Sequence, residues 1–120
     1  MESFIKYIIQ GDDEIKKQDE HYEYCKNNNI PYITAMNDYK GHFRIDVDLA
    51  DTDFMLDDDG EKQIKEIQSS YFKNNTIPLE KQIFSPPTTS GFYINSVKKE
   101  NVEEICNKFF DECMNHKIKK

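Results

Sequence analysis

The octapeptide His42-Phe43-Arg44-Ile45-Asp46-Val47-Asp48-Leu49 alternates polar and apolar side chains without a break. A period of two sends successive side chains to opposite faces of an extended chain. Phe43, Ile45, Val47 and Leu49 therefore point to a core, and His42, Arg44, Asp46 and Asp48 to a solvated face. Burial on one face marks an antiparallel or mixed sheet rather than an all-parallel one. Immediately upstream, residues 32–36 (Tyr-Ile-Thr-Ala-Met) are rich in β-formers and follow Pro31. Asp38-Tyr39-Lys40-Gly41 supplies the turn chemistry that joins the two runs as a hairpin.

Working outward, Asp57-Asp58-Asp59-Gly60 opens a helix reaching Asn74, with Ile64, Ile67, Tyr71 and Phe72 on one side. Acids suit the positive end of a helix. Gln82-Ile83-Phe84 reads as a short strand before Pro86-Pro87, which force an extended loop. Gly91–Val97 reads as another strand. Ser96 is placed to cap a last helix whose stripe, Val102, Ile105, Cys106, Phe109, Phe110 and Cys113, is the best helical pattern in the chain. On the other side of the hairpin, Phe4, Ile5, Ile8 and Ile9 fit helical spacing over residues 2–10, and Gly11 breaks that run. Asp12 is placed to cap a second helix carrying Ile15, Tyr22 and Cys25, which Asn27-Asn28-Asn29 ends. The predicted order is ααββαββα: one α+β domain over residues 1–120, with about four strands in a small antiparallel or mixed sheet packed against helices.

The 120 residues suit one domain, and eight Phe and seven Tyr argue against disorder. No apolar run approaches the roughly 18 residues of a membrane span. The run at Phe4–Ile9 is too short for a signal peptide and includes Lys6. Three cysteines are too few for a disulfide framework, and no Cys-x-x-Cys pair occurs. Cys106 and Cys113, on one helix face, stand about 10 Å apart, beyond bridging distance. Reduced thiols point to the cytoplasm. His21 and His42 are too separate for a zinc site, and the sequence calls for no metal or other cofactor.

Lys and Arg number 16 against 23 Asp and Glu, a net charge of −7. That balance speaks against direct nucleic-acid binding, which needs clustered cations. The charge is concentrated. Residues 46–61 hold seven Asp, one Glu and no Lys or Arg, a local charge of −8, so the remainder of the chain sums to +1.

Four readings of this segment compete. As a solvated loop and helix start it accounts for Asp57, Asp58 and Asp59, but poorly for Asp46, Asp48, Asp51 and Asp53. As a calcium loop with Gly60 at its sixth position it puts Met55 where the first ligand belongs, and fails there. As a catalytic pair, Asp46 and Asp48 lie about 7 Å apart on one strand face and could hold divalent metal for work on nucleotides or phosphoesters, with His42 and Arg44 steadying a phosphate. No phosphate loop or third carboxylate motif supports that alternative. The fourth reading, the one adopted, is a partner-binding surface made of Arg44, Asp46, Asp48, Asp51, Asp53, Asp57, Asp58 and Asp59. Its carboxylates imitate a row of phosphates toward a basic protein. Phe54, Met55 and Leu56 offer an apolar anchor, and Tyr22, Tyr24, Tyr32, Tyr39 and Tyr93 include residues of the kind enriched at interfaces.

In small size, acidity, reduced cysteines and lack of catalytic motifs, the chain resembles the immunity proteins of bacterial toxin systems, contact-dependent inhibition and colicin-type nucleases among them. The resemblance lies in these overall properties and assigns no residue. It implies a non-enzymatic, cytoplasmic protein that binds a cognate basic nuclease toxin and blocks its active site or substrate groove. Phage-encoded inhibitors of host nucleases share the same profile. A non-catalytic adaptor, with acids that only solubilise it, is a further alternative.

Overall fold

The computed structural model describes residues 6–10 and 15–120. His42–Asp48 forms a strand, and its alternation is reproduced: Phe43, Ile45, Val47 and the following Leu49 are buried, while His42, Arg44, Asp46 and Asp48 are half-exposed. The described residues contain seven strands and three helices: β1 (Ile8–Ile9), α1 (Ile15–Asn27), β2 (Tyr32–Asn37), β3 (His42–Asp48), β4 (Phe54–Leu56), α2 (Asp58–Asn74), β5 (Phe84–Thr88), β6 (Gly91–Lys98), α3 (Val102–Asn115) and β7 (Lys117–Lys119). Five strands make one mixed sheet in the order β1-β2-β3-β6-β5, and β4 pairs with β7 in a separate ribbon. The fold is α+β in a single domain. No helix among the described residues is long and apolar enough to cross a membrane.

Cross-strand register explains the core. Ile33 lies opposite Val47 and Ala35 opposite Ile45, so the buried residues of β2 and β3 share a face. On the other flank, Phe92 faces Val47 and Ile94 faces Ile45. Strict alternation would then turn Val97 outward. The register instead shifts between Phe43 and Ile45, so that Asn95 and Ser96 together oppose Arg44 and Val97 returns to the core opposite Phe43. The extra residue, Ser96, sits at φ 63°, held by its N–H donating to Asp38 Oδ2 (3.2 Å) and its hydroxyl donating to the Lys81 carbonyl (2.7 Å). Ser96 thus belongs to a bulge and does not cap α3. Asn101 stands at that helix's N-cap without a side-chain capping bond.

Helices α2 and α3 cover the buried face. The whole predicted stripe of α3, Val102 to Cys113, is buried, and Phe109 meets Phe92 edge-on at 5.1 Å. Asp57 caps α2 by accepting from the Gly60 N–H at 2.7 Å. Gln68, fully buried, donates to the carbonyls of Ser85 and Tyr93 and ties α2 to β5 and β6. Burial pushes the Cys25 thiol up to about 11 and those of Cys106 and Cys113 to about 12, so all three are neutral core groups.

Two further expectations are corrected. Ile8–Ile9 is not helical; it adds a parallel edge strand to β2, with Ile8 opposite Thr34. Two adjacent β-branched residues satisfy a sheet edge as well as a helical stripe, and the open edge of β2 selects the former. The rest of that segment, residues 2–5, and the Gly11 break and Asp12 cap lie outside the described residues. The strand expected at Gln82-Ile83-Phe84 instead runs Phe84–Thr88, leaving Gln82 and Ile83 outside it and Pro86-Pro87 within it. β5 is an edge strand, and its ladder with β6 skips between Ser85 and Thr88, where prolines can offer no N–H. Two strands, β4 and β7, form where the sequence shows no strand pattern.

Three outcomes follow from this packing. Phe109→Ala should lose about 3–5 kcal/mol in chemical denaturation, as for other fully buried aromatics. Gly91 has φ +135°, and a Cβ there would run into the Val47 carbonyl oxygen. Gly91→Ala should therefore lower the denaturation midpoint, with roughly 1–3 kcal/mol from backbone strain alone. Burial lowers the pKa of His21 in the folded state. Below about pH 6.5 the unfolded chain gains a proton there that the folded chain does not yet take, so stability falls as pH drops through that window. The melting temperature of a His21→Gln variant should fall less than that of the wild type between about pH 7 and pH 5.

Candidate functional site

Helix α1 lies against the sheet face opposite α2 and α3. Its His21 and Tyr22 rings stand 5.7 and 5.2 Å from Tyr32, the latter edge-on. Tyr32 lies directly across from Asp48 in the β2–β3 ladder, so this tyrosine cluster and the polar face of β3 form one surface. The Tyr22 hydroxyl donates to Asp51. That bond above all, then burial and the charges of Asp51, Asp48 and Glu23, pushes the Tyr22 phenol up to about 12. Tyr32 is raised too, by burial first and then by surroundings that include Asp19 and Asp48. Carboxylates from three separate places in the chain (α1, β3 and the loop after it) thus share one electrostatic neighbourhood around two neutral phenols.

The sequence reading did not single out Asp19 and Glu23, because lysines of the same helix obscure them. Their spacing carried the signal: Asp19 lies three positions before Tyr22 and four before Glu23, so it neighbours both on the helix surface.

The predicted site residues are not all alike in the folded protein. Arg44 lies 3.9 Å over the Tyr93 ring and grips Asp46 through Nε (3.0 and 3.2 Å) and Nη2 (3.0 Å). Hydrogen bonding to Asp46 raises the Arg44 pKa above its ordinary value. Each offsets the other's charge, and neither is left as a bare ion on the surface. Asp48 accepts the Ala50 N–H at 2.8 Å and keeps its place facing α1. It also borders a shallow hollow of about 400 Å³ whose far wall is Ser85, Thr88 and Ser90. Among the described residues no group of three His, Cys, Asp or Glu is placed to hold a metal ion.

Asp53 exchanges two hydrogen bonds with the Asn29 side chain, accepting from Nδ2 (2.6 Å) and donating its N–H to Oδ1 (2.8 Å). Asp57 is occupied as the α2 cap and by His116 Nδ1 at 3.1 Å; the other ring nitrogen is 3.2 Å from Glu112. Asp58 and Asp59 are exposed in the first turn of α2. Phe54 and Leu56 are core residues, each 3% exposed, and only the half-exposed Met55 is left of the predicted apolar anchor.

The folded chain also redistributes the charge. Lys117, Lys119 and Lys120, far from the acidic segment in sequence, lie along it in the folded chain. β7 runs antiparallel to β4, pairing Phe54 with Lys119 and Leu56 with Lys117. Lys120 Nζ donates to the carbonyls of Leu49 (2.7 Å) and Ala50 (3.4 Å). The acids therefore divide into a group around Tyr22, holding Asp19, Glu23, Asp48 and Asp51, and a second at the start of α2, with basic β7 between them. No known protein family, curated protein or solved structure matches this chain.

Proposed function

We propose that the protein is an inhibitor that binds and neutralises a basic partner, a nuclease toxin, in the manner of an immunity protein. The observation that carries this reading is the convergence of Asp19, Glu23, Asp48 and Asp51 on Tyr22 and Tyr32. Carboxylates so placed attract a cationic groove and accelerate encounter, while tyrosines supply amphipathic contact area at small entropic cost. Bound there, the protein occupies the surface on which the nuclease holds its substrate's phosphates. In this reading Arg44 and Asp46 brace the surface, Asp53 and Asp57 fix the loop that follows it, and Asp58 and Asp59 form its outer margin. Such a partner meets the protein in the cytoplasm.

The test is association kinetics with basic nucleases, beginning with the product of the neighbouring gene. Raising salt from 0.1 M to 1 M shortens the Debye length from about 10 Å to about 3 Å, so the association rate should fall steeply. An Asp48→Asn, Asp51→Asn double variant should reproduce much of that slowing at low salt. A Glu103→Gln, Glu104→Gln double variant removes equal charge from exposed positions of α3 and should leave the rate nearly unchanged. Equal slowing by both would reduce the effect to net charge, and no slowing by either would remove the proposed surface.

A further inference from the structure

Strand β7 is attached to the acidic segment in an unusual way. All three of its residues are exposed, and Ile118 at 44% fills no pocket. Its hold on β4 consists of the backbone ladder, flanked by the Asp57 N–H donating to the His116 carbonyl (2.9 Å) and the Lys120 N–H donating to the Asp53 carbonyl (3.0 Å). To this are added the Lys120 ammonium on two carbonyls and the Lys117 ammonium 5.2 Å over the Phe54 ring. Nothing in that set depends on the identity of a side chain beyond its positive charge. Any extended segment with cations at alternate positions could make the same contacts.

β4, in contrast, is anchored by its own side chains, with Phe54 and Leu56 buried in the core. His116 is fixed independently, between Asp57 and Glu112 and against Gly60, where even a methyl group would collide with its Cβ. The chain can therefore swing after His116 while both β4 and α3 stay in place. A ribbon of two strands has little stability of its own.

We infer that β7 is an internal stand-in for the partner: a cationic strap on an acceptor edge that a basic, extended segment of the partner takes over by pairing with β4. This rests on the reading of the protein as an inhibitor of a basic protein, and it names how that protein is engaged. Strand addition supplies main-chain hydrogen bonds irrespective of side chains. Displacing β7 also removes three lysines from between the two acidic groups. The surface from Asp48 to Asp59 becomes continuous only when the partner's own cations replace them. The strap thereby covers backbone groups of β4 that would otherwise be open to pairing with other chains.

The probe is a fluorescent peptide, Asn-His-Lys-Ile-Lys-Lys, copied from residues 115–120 and titrated onto the full chain and its Ile118→Pro variant. Proline has no N–H for the ladder and leaves the charge unchanged. With the internal competitor weakened, the peptide should bind the variant about tenfold more tightly than the wild type. A peptide with proline in place of its isoleucine should not bind. Hydrogen exchange should show the Met55 amide opening in the variant while Ile45 and Val47 stay protected. Equal binding by the prolyl peptide would reduce the contact to charge and overturn the inference. So would loss of protection in β3, which would make β7 part of the cooperative fold. A full-length Lys117→Ala, Lys119→Ala, Lys120→Ala variant repeats the titration without altering the backbone, and failure of the peptide to bind it more tightly than the wild type would count against the strap. Because the probe is not a toxin, the two proposals fail separately. Peptide capture with no effect of Asp48 and Asp51 on nuclease binding leaves an acceptor edge but no inhibitory surface. The reverse leaves the surface without strand exchange.

Discussion

The antiparallel pairing of β3 with β6 is the constraint on which the rest of the molecule depends. It joins the two clearest strands at the centre of the sheet and sets the register from which both faces follow. The bulge at Asn95–Ser96 is part of that pairing. By adding one residue to β6 it brings Ile94 and Val97 to the same side and completes the floor on which α2 and α3 rest. The left-handed Ser96 is sustained by Asp38 from the β2–β3 turn and by the Lys81 carbonyl. A backbone conformation uncommon for serine is thus maintained by bonds from two other segments.

The same pairing creates the polar face. With Phe43, Ile45 and Val47 committed to the core, Arg44, Asp46 and Asp48 must emerge opposite, beside Tyr93 from β6 and Tyr32 from β2. Where β2 begins, at Tyr32, α1 covers this face and brings its own acids to it. The sheet's second face is accordingly part buried by α1 and part open, and the acidic, tyrosine-bearing group sits at the boundary. Tyrosines held neutral beside carboxylates can donate hydrogen bonds without adding charge.

Charge density along a sequence and charge density on a surface are different quantities. Residues 46–61 carry −8 as a string, but folding disperses it. Asp46 is matched by Arg44, Asp57 is drawn toward His116, and three lysines distant in sequence lie along the segment's middle. Two carboxylates of α1 that no local count would attach to the segment join it, Glu23 beside Tyr22 and Asp19 beside Tyr32. Of the eight residues assigned from sequence to a partner surface, Asp48 and Asp51 stand within this group. Arg44 and Asp46 pair with each other, and Asp53 and Asp57 have local structural bonds.

The sequence by itself determined what repeats at short range. The period of two in residues 42–49 specified β3 and its buried face, the stripe from Val102 to Cys113 specified α3, and Asp57 with its following glycine specified the start of α2. These signals are local because a strand's alternation and a helix's stripe are properties of consecutive residues. Tertiary structure decided the rest. Ile8–Ile9 became a strand because β2 offered an edge, and Lys117–Lys119 became one because β4 lay within reach once α3 had packed. Neither segment is long enough to show a period, and each takes its ladder partner from residues far away in the chain. The gathering of Asp19, Glu23, Asp48 and Asp51 has the same origin: helix α1 docks on the ring of Tyr32 and its Tyr22 hydroxyl reaches Asp51, and these long-range contacts bring the two stretches of acid together.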